Sequence, residues 1–196
     1  MSSSQREEHL SRESVQSITL SDSRVVQLRS SALGDGPAVH AYICALGLST
    51  DNILTHAEDL PSLKVVEDRI VNIAKGEFYS LVAVDTESGD VIGNASFTFK
   101  ARKKLSHIAD LGIGVLPDWQ HVGLGSLLLN KAIDDMRMRP GIERIELTVL
   151  LKNVHARQMY EKTGFIQEGI KRRSIKQPNG CYEDEIIMGL WLSNDE

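Results

Sequence analysis

The spacing of apolar residues changes period several times along the chain, and each change predicts an element. Val25 to Leu28 reads as a short strand. A loop with Gly34, Asp35, Gly36 and Pro37 follows, and Pro37, with its fixed φ and missing N–H, suits the first turn of a helix over about Ala38 to Leu46. Pro61 opens a second helical stretch, in which Leu63, Val66, Ile70, Val71 and Ile73 recur mostly at helical spacing before Gly76 ends it. The segment between the helices, Gly47 to Leu60, is irregular. Phe78 to Asp85 and Val91 to Lys100 are β-rich runs whose link, Thr86 to Asp90, reads as a hairpin turn, and His107 to Val115 adds a third strand.

The helix after Gly123 carries Leu124, Leu127, Leu128, Ala132, Ile133 and Met136 on one stripe and is stopped by Pro140 and Gly141. In Ile142 to Leu150, Ile145, Leu147 and Val149 alternate with Arg144, Glu146 and Thr148, the period-2 pattern of a half-buried strand. Asn153 caps a helix through Thr163 that Gly164 ends. Phe165 to Ile175 and Glu185 to Leu192 form a last strand pair around Pro178, Asn179 and Gly180, an Asn-Gly hairpin signal. The order predicts a mixed α/β (α+β) fold with a central sheet of about six to seven strands and about four helices. The expected domain spans residues 24–196, preceded by a polar, mobile tail from Met1 to Ser23 that has no apolar run of a signal peptide.

Charge narrows the partners. Lys and Arg number 22 against 27 Asp and Glu, without the basic excess needed to grip nucleic-acid phosphates, so DNA and RNA are not expected. No apolar run approaches the ~18 residues that cross a bilayer, so no membrane partner is expected. Cys44 and Cys181 belong to no Cys-x-x-Cys pair and the histidines lack ligand spacing. Neither disulfides nor a metal are predicted, and a reducing, cytoplasmic home is the simplest reading.

The chemistry concentrates in the turn Val115-Leu116-Pro117-Asp118-Trp119-Gln120-His121-Val122-Gly123-Leu124-Gly125, which leads from a strand into a helix. Glycines permit positive φ and close backbone approach, so amides from Gln120 to Ser126 can converge on an anion where the helix dipole is positive. Each amide donating to a charged oxygen contributes about 1.5–3 kcal/mol, so a few suffice for a diphosphate. A Rossmann turn would place a third glycine where Leu128 stands, and a P-loop would place lysine before its Ser or Thr, where Gly125 precedes Ser126. Both are disfavoured.

Gln120-x-x-Gly123-x-Gly125 after Val115-x-Pro117, followed by Asn153-x-x-Ala156-x-x-x-Tyr160-Glu161-Lys162-x-Gly164-Phe165, resembles the GNAT acetyltransferase superfamily. Glu168-Gly169, then Gly180-x-Tyr182-x-Asp184 and Met188, resemble bacterial members that acetylate amino acids, polyamines or protein N-termini. The resemblance implies a GNAT-like, mostly antiparallel sheet and acetyl-CoA as acyl donor. It implies that the amides of Gln120, His121, Val122, Gly123, Leu124, Gly125 and Ser126 hold the CoA diphosphate. Backbone at Ile113, Gly114 and Val115 would pair with the pantetheine arm, Asn153 would hydrogen-bond it, and Tyr160 would protonate the departing thiolate. The pattern departs from the family's in one respect, since His121 and Val122 stand where Arg or Lys is common. Similar proteins are often homodimers, which makes a second copy an expected partner beside a small-molecule amine.

Transfer to an amine needs the neutral nucleophile. An amine of pKa about 10.4 costs roughly 4–5 kcal/mol to deprotonate at pH 7 and an α-amine near 7.8 only about 1 kcal/mol, so the need for a base depends on the acceptor. Along His107 to Val115, Ala109, Leu111, Ile113 and Val115 are expected to face the core, with Asp110, Gly112 and Gly114 opposite. Asp110 is the expected base, directly or through water, over a side-chain-free lane at the two glycines that would hold the acyl arm. Glu146 and His107 are further candidates, and Trp119 is a candidate channel wall. Gly47 to Leu60 and the hairpin at Asn179 are expected to shape the acceptor pocket. Peptide N-terminal acetylation and a non-catalytic acyl-CoA sensor remain alternatives.

Overall fold

The computed structural model describes residues 15–53, 57–177 and 179–192. In chain order these form β1 (Gln16–Thr19), β2 (Val25–Ser30), α1 (Gly36–Ser49), α2 (Leu63–Ala74), β3 (Phe78–Asp85), β4 (Val91–Phe99), β5 (Ile108–Val115), α3 (Leu124–Arg137), β6 (Arg144–Leu150), α4 (Val154–Lys162), β7 (Ile166–Lys176) and β8 (Tyr182–Trp191). The strands make one sheet in the order β1-β2-β3-β4-β5-β6-β8-β7. Every neighbouring pair is antiparallel except β5 and β6. No helix among the described residues is long and apolar enough to cross a membrane.

The mixed fold is as expected, with eight strands where six to seven were predicted. The extra strand corrects the tail: Gln16–Thr19 pairs with β2, and Leu20 beside it is buried. Its polar composition suits an edge strand, which keeps one face and one edge in water. The rest of the expected tail, residues 1–14, lies outside the described residues, as does Pro178 of the expected hairpin. That hairpin does form, with β7 antiparallel to β8.

Period-2 alternation sends one set of strand residues to each face of the sheet. Ala95, Phe97, Ala109, Leu111, Ile145 and Leu147 meet α3, whose Leu128, Leu129, Ala132 and Ile133 are almost fully buried. Burying each large apolar side chain contributes about 1.5–3 kcal/mol, which anchors α3 and the turn before it. Val82, Val84 and Val91 on the other face meet Val39, Tyr42 and Leu46 of α1 and Val66 and Ile70 of α2.

The parallel contact between β5 and β6 is short. It pairs Ile108 with Arg144, Ala109 with Ile145 and Asp110 with Glu146, and then the strands part while residues 111–115 and 147–150 stay paired to β4 and β8. Leu116 donates its NH to Ile92 in β4, so by alternation the peptide groups of Leu111, Ile113 and Val115 face the opening.

On the α1 side of β5, the lane expected to be free of side chains is not free. A Cβ on Gly114 would lie 2.5 Å from Leu46 Cδ2 and 2.8 Å from Tyr42 Oη, so the glycine is what lets α1 seat this closely. Gly114→Val is therefore expected to destabilise the fold by about 1–3 kcal/mol through overpacking. A thermal melt would show this as a fall of several degrees, and an unchanged midpoint would mean that α1 is free to lift.

Candidate active site

The opening between β5 and β6 is a cleft of about 540 Å³ that ends at the turn before α3 and is flanked by α4. Local geometry shapes the turn. Pro117–Trp119 forms one 3-10 turn, after which His121 and Gly123 take left-handed φ values of 63° and 89°. Helix α3 then starts at Leu124, with Leu127 NH on the carbonyl of Gly123 at 3.1 Å. Among the described residues, no hydrogen bond occupies the NH groups of His121, Val122, Gly123, Leu124, Gly125 or Ser126. Six free donors beside a helix N-terminus make a candidate anion cradle.

Gln120 departs from its expected part. Its NH is taken by the carbonyl of Pro117 at 3.1 Å, and its Nε2 donates to the carbonyl of Val115 at 2.9 Å. Gln120 thus latches the turn onto the end of β5, and the cradle begins at His121. The same bond takes the Val115 carbonyl, and Gly114 directs its peptide groups toward β4, which leaves the peptide groups of Leu111 and Ile113 and the NH of Val115 able to pair with an extended chain in the cleft. Leu124 points its side chain into the core, Val122 packs against it, and Ser126 is exposed.

Tyr160 of α4 lines the same cleft, its ring tilted against Phe165 at 5.7 Å. Its hydroxyl makes no hydrogen bond to any described residue, and burial pushes its pKa up from 10.0 to about 12. The phenol therefore keeps its proton throughout the neutral range. Asn153 also lines the cleft, but its Oδ1 accepts the helix-capping bond from Ala156 NH at 3.2 Å, so only its Nδ2 is left to meet a ligand.

Other sequence candidates are not brought to the cleft. Asp110 sits at the last β5–β6 pair, ion-paired with Lys100, and does not line the opening. The direct-base reading of Asp110 is corrected: alternation gave the right face, but the strands part only beyond it. Glu146 is held by Arg144 Nε at 3.0 Å, and His107 stacks on Trp191 at 6.5 Å. Trp119 is no channel wall; it packs against the core beneath the Arg24 guanidinium, 3.8 Å from the ring centroid. Among the described residues, none of the Asn179 hairpin lines either cavity.

A second cavity of about 300 Å³ lies between α1, α2 and the sheet, and shares Leu46, Ile53, Ile113 and Gly114 with the cleft. Ile53, Asp59 and Leu60 of the irregular segment, and Pro61 after it, line this cavity. Sequence reasoning missed the floor. Ser80, Asn94 and Ser96 interrupt apolar strands on one face, and Asn94 Nδ2 donates to Ser80 Oγ at 2.8 Å and to the Leu81 carbonyl at 3.0 Å. Polar residues at alternate positions within buried strands were the available signal.

A family model described as Acetyltransferase (GNAT) family matches residues 52–165, a span that contains β5, the turn, β6 and α4. An L-amino acid N-acetyltransferase of Escherichia coli strain K12 is 36% identical over 100 residues, 51% of this chain and 61% of its own length. A ribosomal protein bS18 alanine N-acetyltransferase of Salmonella typhimurium is 40% identical over 81 residues, 41% of this chain and 53% of its own. The chain spans between half and two thirds of the length of these curated relatives. A GNAT-family acetyltransferase structure from Streptococcus pneumoniae superposes with a TM-score of 0.80 and 28% identity, covering 85% of this chain and 99% of that one. A Salmonella typhimurium protein solved with its cofactor acetyl-CoA shares the fold, with a TM-score of 0.77 and 20% identity over 87% of this chain and 96% of its own.

Proposed function

Because this chain belongs to the GNAT acetyltransferase family, we propose that it moves an acetyl group from acetyl-CoA to the α-amine of an amino-acid-sized molecule, with both substrates bound together. The observation that carries the reading is the cleft between the parted strands, with free amides at one end and Tyr160 within it. The cradle at His121 to Ser126 binds the diphosphate, and Leu111, Ile113 and the NH of Val115 pair with the pantetheine arm. The acceptor occupies the adjoining cavity, and its amine nitrogen attacks the thioester carbonyl. The N–C bond forms as the C–S bond breaks, Tyr160 gives its proton to the leaving sulfur, the proton of the amine passes to water, and the solvent returns a proton to the Tyr160 phenolate.

Two features favour an α-amine of modest size. A cavity of about 300 Å³ is at the small end for ligand sites, where a free amino acid fits more readily than a folded protein terminus. Among the described residues, no carboxylate lines the cleft beside Tyr160, and an α-amine, which costs only about 1 kcal/mol to deprotonate at pH 7, has the least need of one. One relative named above acts on L-amino acids and another on a ribosomal-protein alanine, both of which present such amines.

Thiol release from acetyl-CoA, measured against amino acids, polyamines and short peptides, tests the proposal. Turnover with amino acids well above the other classes is expected. Turnover confined to alanine-initiated peptides would transfer the function to protein N-termini, and no release with any amine would remove the enzyme reading. In the same assay Asp110→Asn is expected to change kcat by less than about tenfold between pH 6 and 9, short of the 10²–10⁴ typical of a lost general base.

A further inference from the structure

The cavity between α1, α2 and the sheet holds one cation that packing does not account for. On α2, Val66, Ile70 and Ile73 recur at i, i+4 and i+7 and pack toward the sheet, and position 69, at i+3, falls on the same stripe. Arg69 stands there, where the period calls for an apolar residue, and it lines the cavity. Among the described residues no other lysine or arginine lines this cavity or the cleft. Lys64 of the same helix and Lys75 at its end are engaged, with Asp68 at 2.9 Å and Asn72 at 3.1 Å. The Arg69 guanidinium makes no hydrogen bond or ion pair with any described residue. Asp59, the one carboxylate on the lining among the described residues, forms no ion pair with it, so the positive charge is left to a ligand.

We propose that Arg69 takes the carboxylate of the acceptor, so that free α-amino acids are preferred over amines, carboxamides and peptides with no carboxylate beside the amine. The inference rests on placing the acceptor in this cavity and deepens that reading. A guanidinium presents a planar fork of N–H donors that matches the two oxygens of a carboxylate, and such charge-assisted pairs are roughly twice as strong as neutral ones. Asn94 supplies the direction. Its Nδ2 donates to Ser80 Oγ at 2.8 Å and to the Leu81 carbonyl at 3.0 Å, and because a carbonyl only accepts, the orientation of the amide is fixed. Its Oδ1, to which no described residue donates, is left to accept an N–H from a ligand. Asn94 lies opposite Gly114 in the sheet, and Gly114 lines both the cavity and the cleft. An acceptor held by its carboxylate at α2 and by one N–H at β4 therefore presents its nitrogen where the two spaces join, with the lone pair free for the thioester.

Thiol release at saturating acetyl-CoA, with L-amino acids and the matching carboxamides as acceptors, tests this on the wild-type chain and on Arg69→Gln and Arg69→Lys. Comparing each acceptor with itself across the three proteins cancels the difference in amine basicity between acid and carboxamide. Arg69 is exposed and unpaired, so the variants should melt with the wild type and bind CoA as tightly. In Arg69→Gln, kcat/KM for the amino acids is expected to fall about tenfold or more, through KM rather than kcat, as loss of a charge-assisted pair requires. The carboxamides should change less than about threefold, and Lys, which keeps the charge without the fork, should restore part of the loss. A fall shared equally by acids and carboxamides, or no fall for the acids, overturns the assignment while leaving acetyl transfer in place. Wild-type turnover confined to peptides or polyamines overturns it in the same way. No thiol release with any amine in the wild type sinks both the carboxylate site and the acetyltransferase reading beneath it.

Discussion

Tyr160→Phe is expected to lower kcat by about 10²–10⁴ while the fold and the affinity for CoA stay near wild type. The substitution keeps the ring and its tilted contact with Phe165, and removes only a hydroxyl that makes no hydrogen bond to any described residue. Loss of a buried hydroxyl without a protein partner changes stability by no more than about 1 kcal/mol, so the melting temperature should hold or rise slightly. The pH dependence follows from the direction of the shift. Burial raises the phenol from 10.0 to about 12, so the folded protein holds this proton more tightly than the unfolded chain. The associated stability is present below about pH 10 and is lost as pH rises toward 12, and the wild-type kcat profile should show no Tyr160 limb in the neutral range. A phenol this reluctant gives up its proton only to a sulfur that is itself short of water. Desolvation supplies that condition, because a thiolate in an apolar cleft also gains proton affinity. A Phe variant that turns over at the wild-type rate would leave proton donation to water.

How much of this was legible in the sequence depended on the range of the physics involved. The α3 stripe, the Asn153 cap and the alternation of β6 are local, and they formed close to their expected bounds. Strand β1 was missed because its polar residues sit at an edge, where only Ile18 and Leu20 turn toward the core. The faces of β5 were assigned correctly by period 2. The place where β5 and β6 part was not, because it is a property of two strands separated by a helix. That one unknown misplaced Asp110, which stands at the last closed pair, and hid the cleft beyond it. The lane at Gly114 failed for a similar reason: whether a glycine leaves space or admits a neighbour depends on what packs over it, and here Tyr42 and Leu46 do. Gly125, by contrast, has ordinary clearance from Met159 and remains part of the cleft wall.

Gly123→Val is expected to weaken CoA binding about a hundredfold or more, and Gly123→Asn far less. Gly123 has φ 89° and ψ −7° at the start of α3, a left-handed conformation that costs an ordinary L residue about 1–2 kcal/mol and a β-branched one more. No atom lies within 4 Å of a Cβ built there, so the substitution tests backbone conformation and introduces no collision. Helix α3 is fixed by its buried leucines and cannot shift to relieve the strain, so the turn from His121 to Gly123 must. Moving it takes two or more free amides off the anion, and at about 1.5 kcal/mol or more per charge-assisted bond that loss is worth some two powers of ten in Kd. Asn adopts the left-handed region more readily and should keep most of the geometry. Calorimetry with CoA reads the effect, and a melt separates it from unfolding. The two variants divide the site: Val at 123 should act on Kd, Phe at 160 on kcat. If the Val variant bound CoA as tightly as wild type while the melt showed an intact fold, the diphosphate would lie elsewhere, and the six free amides of this turn would have no ligand to explain them.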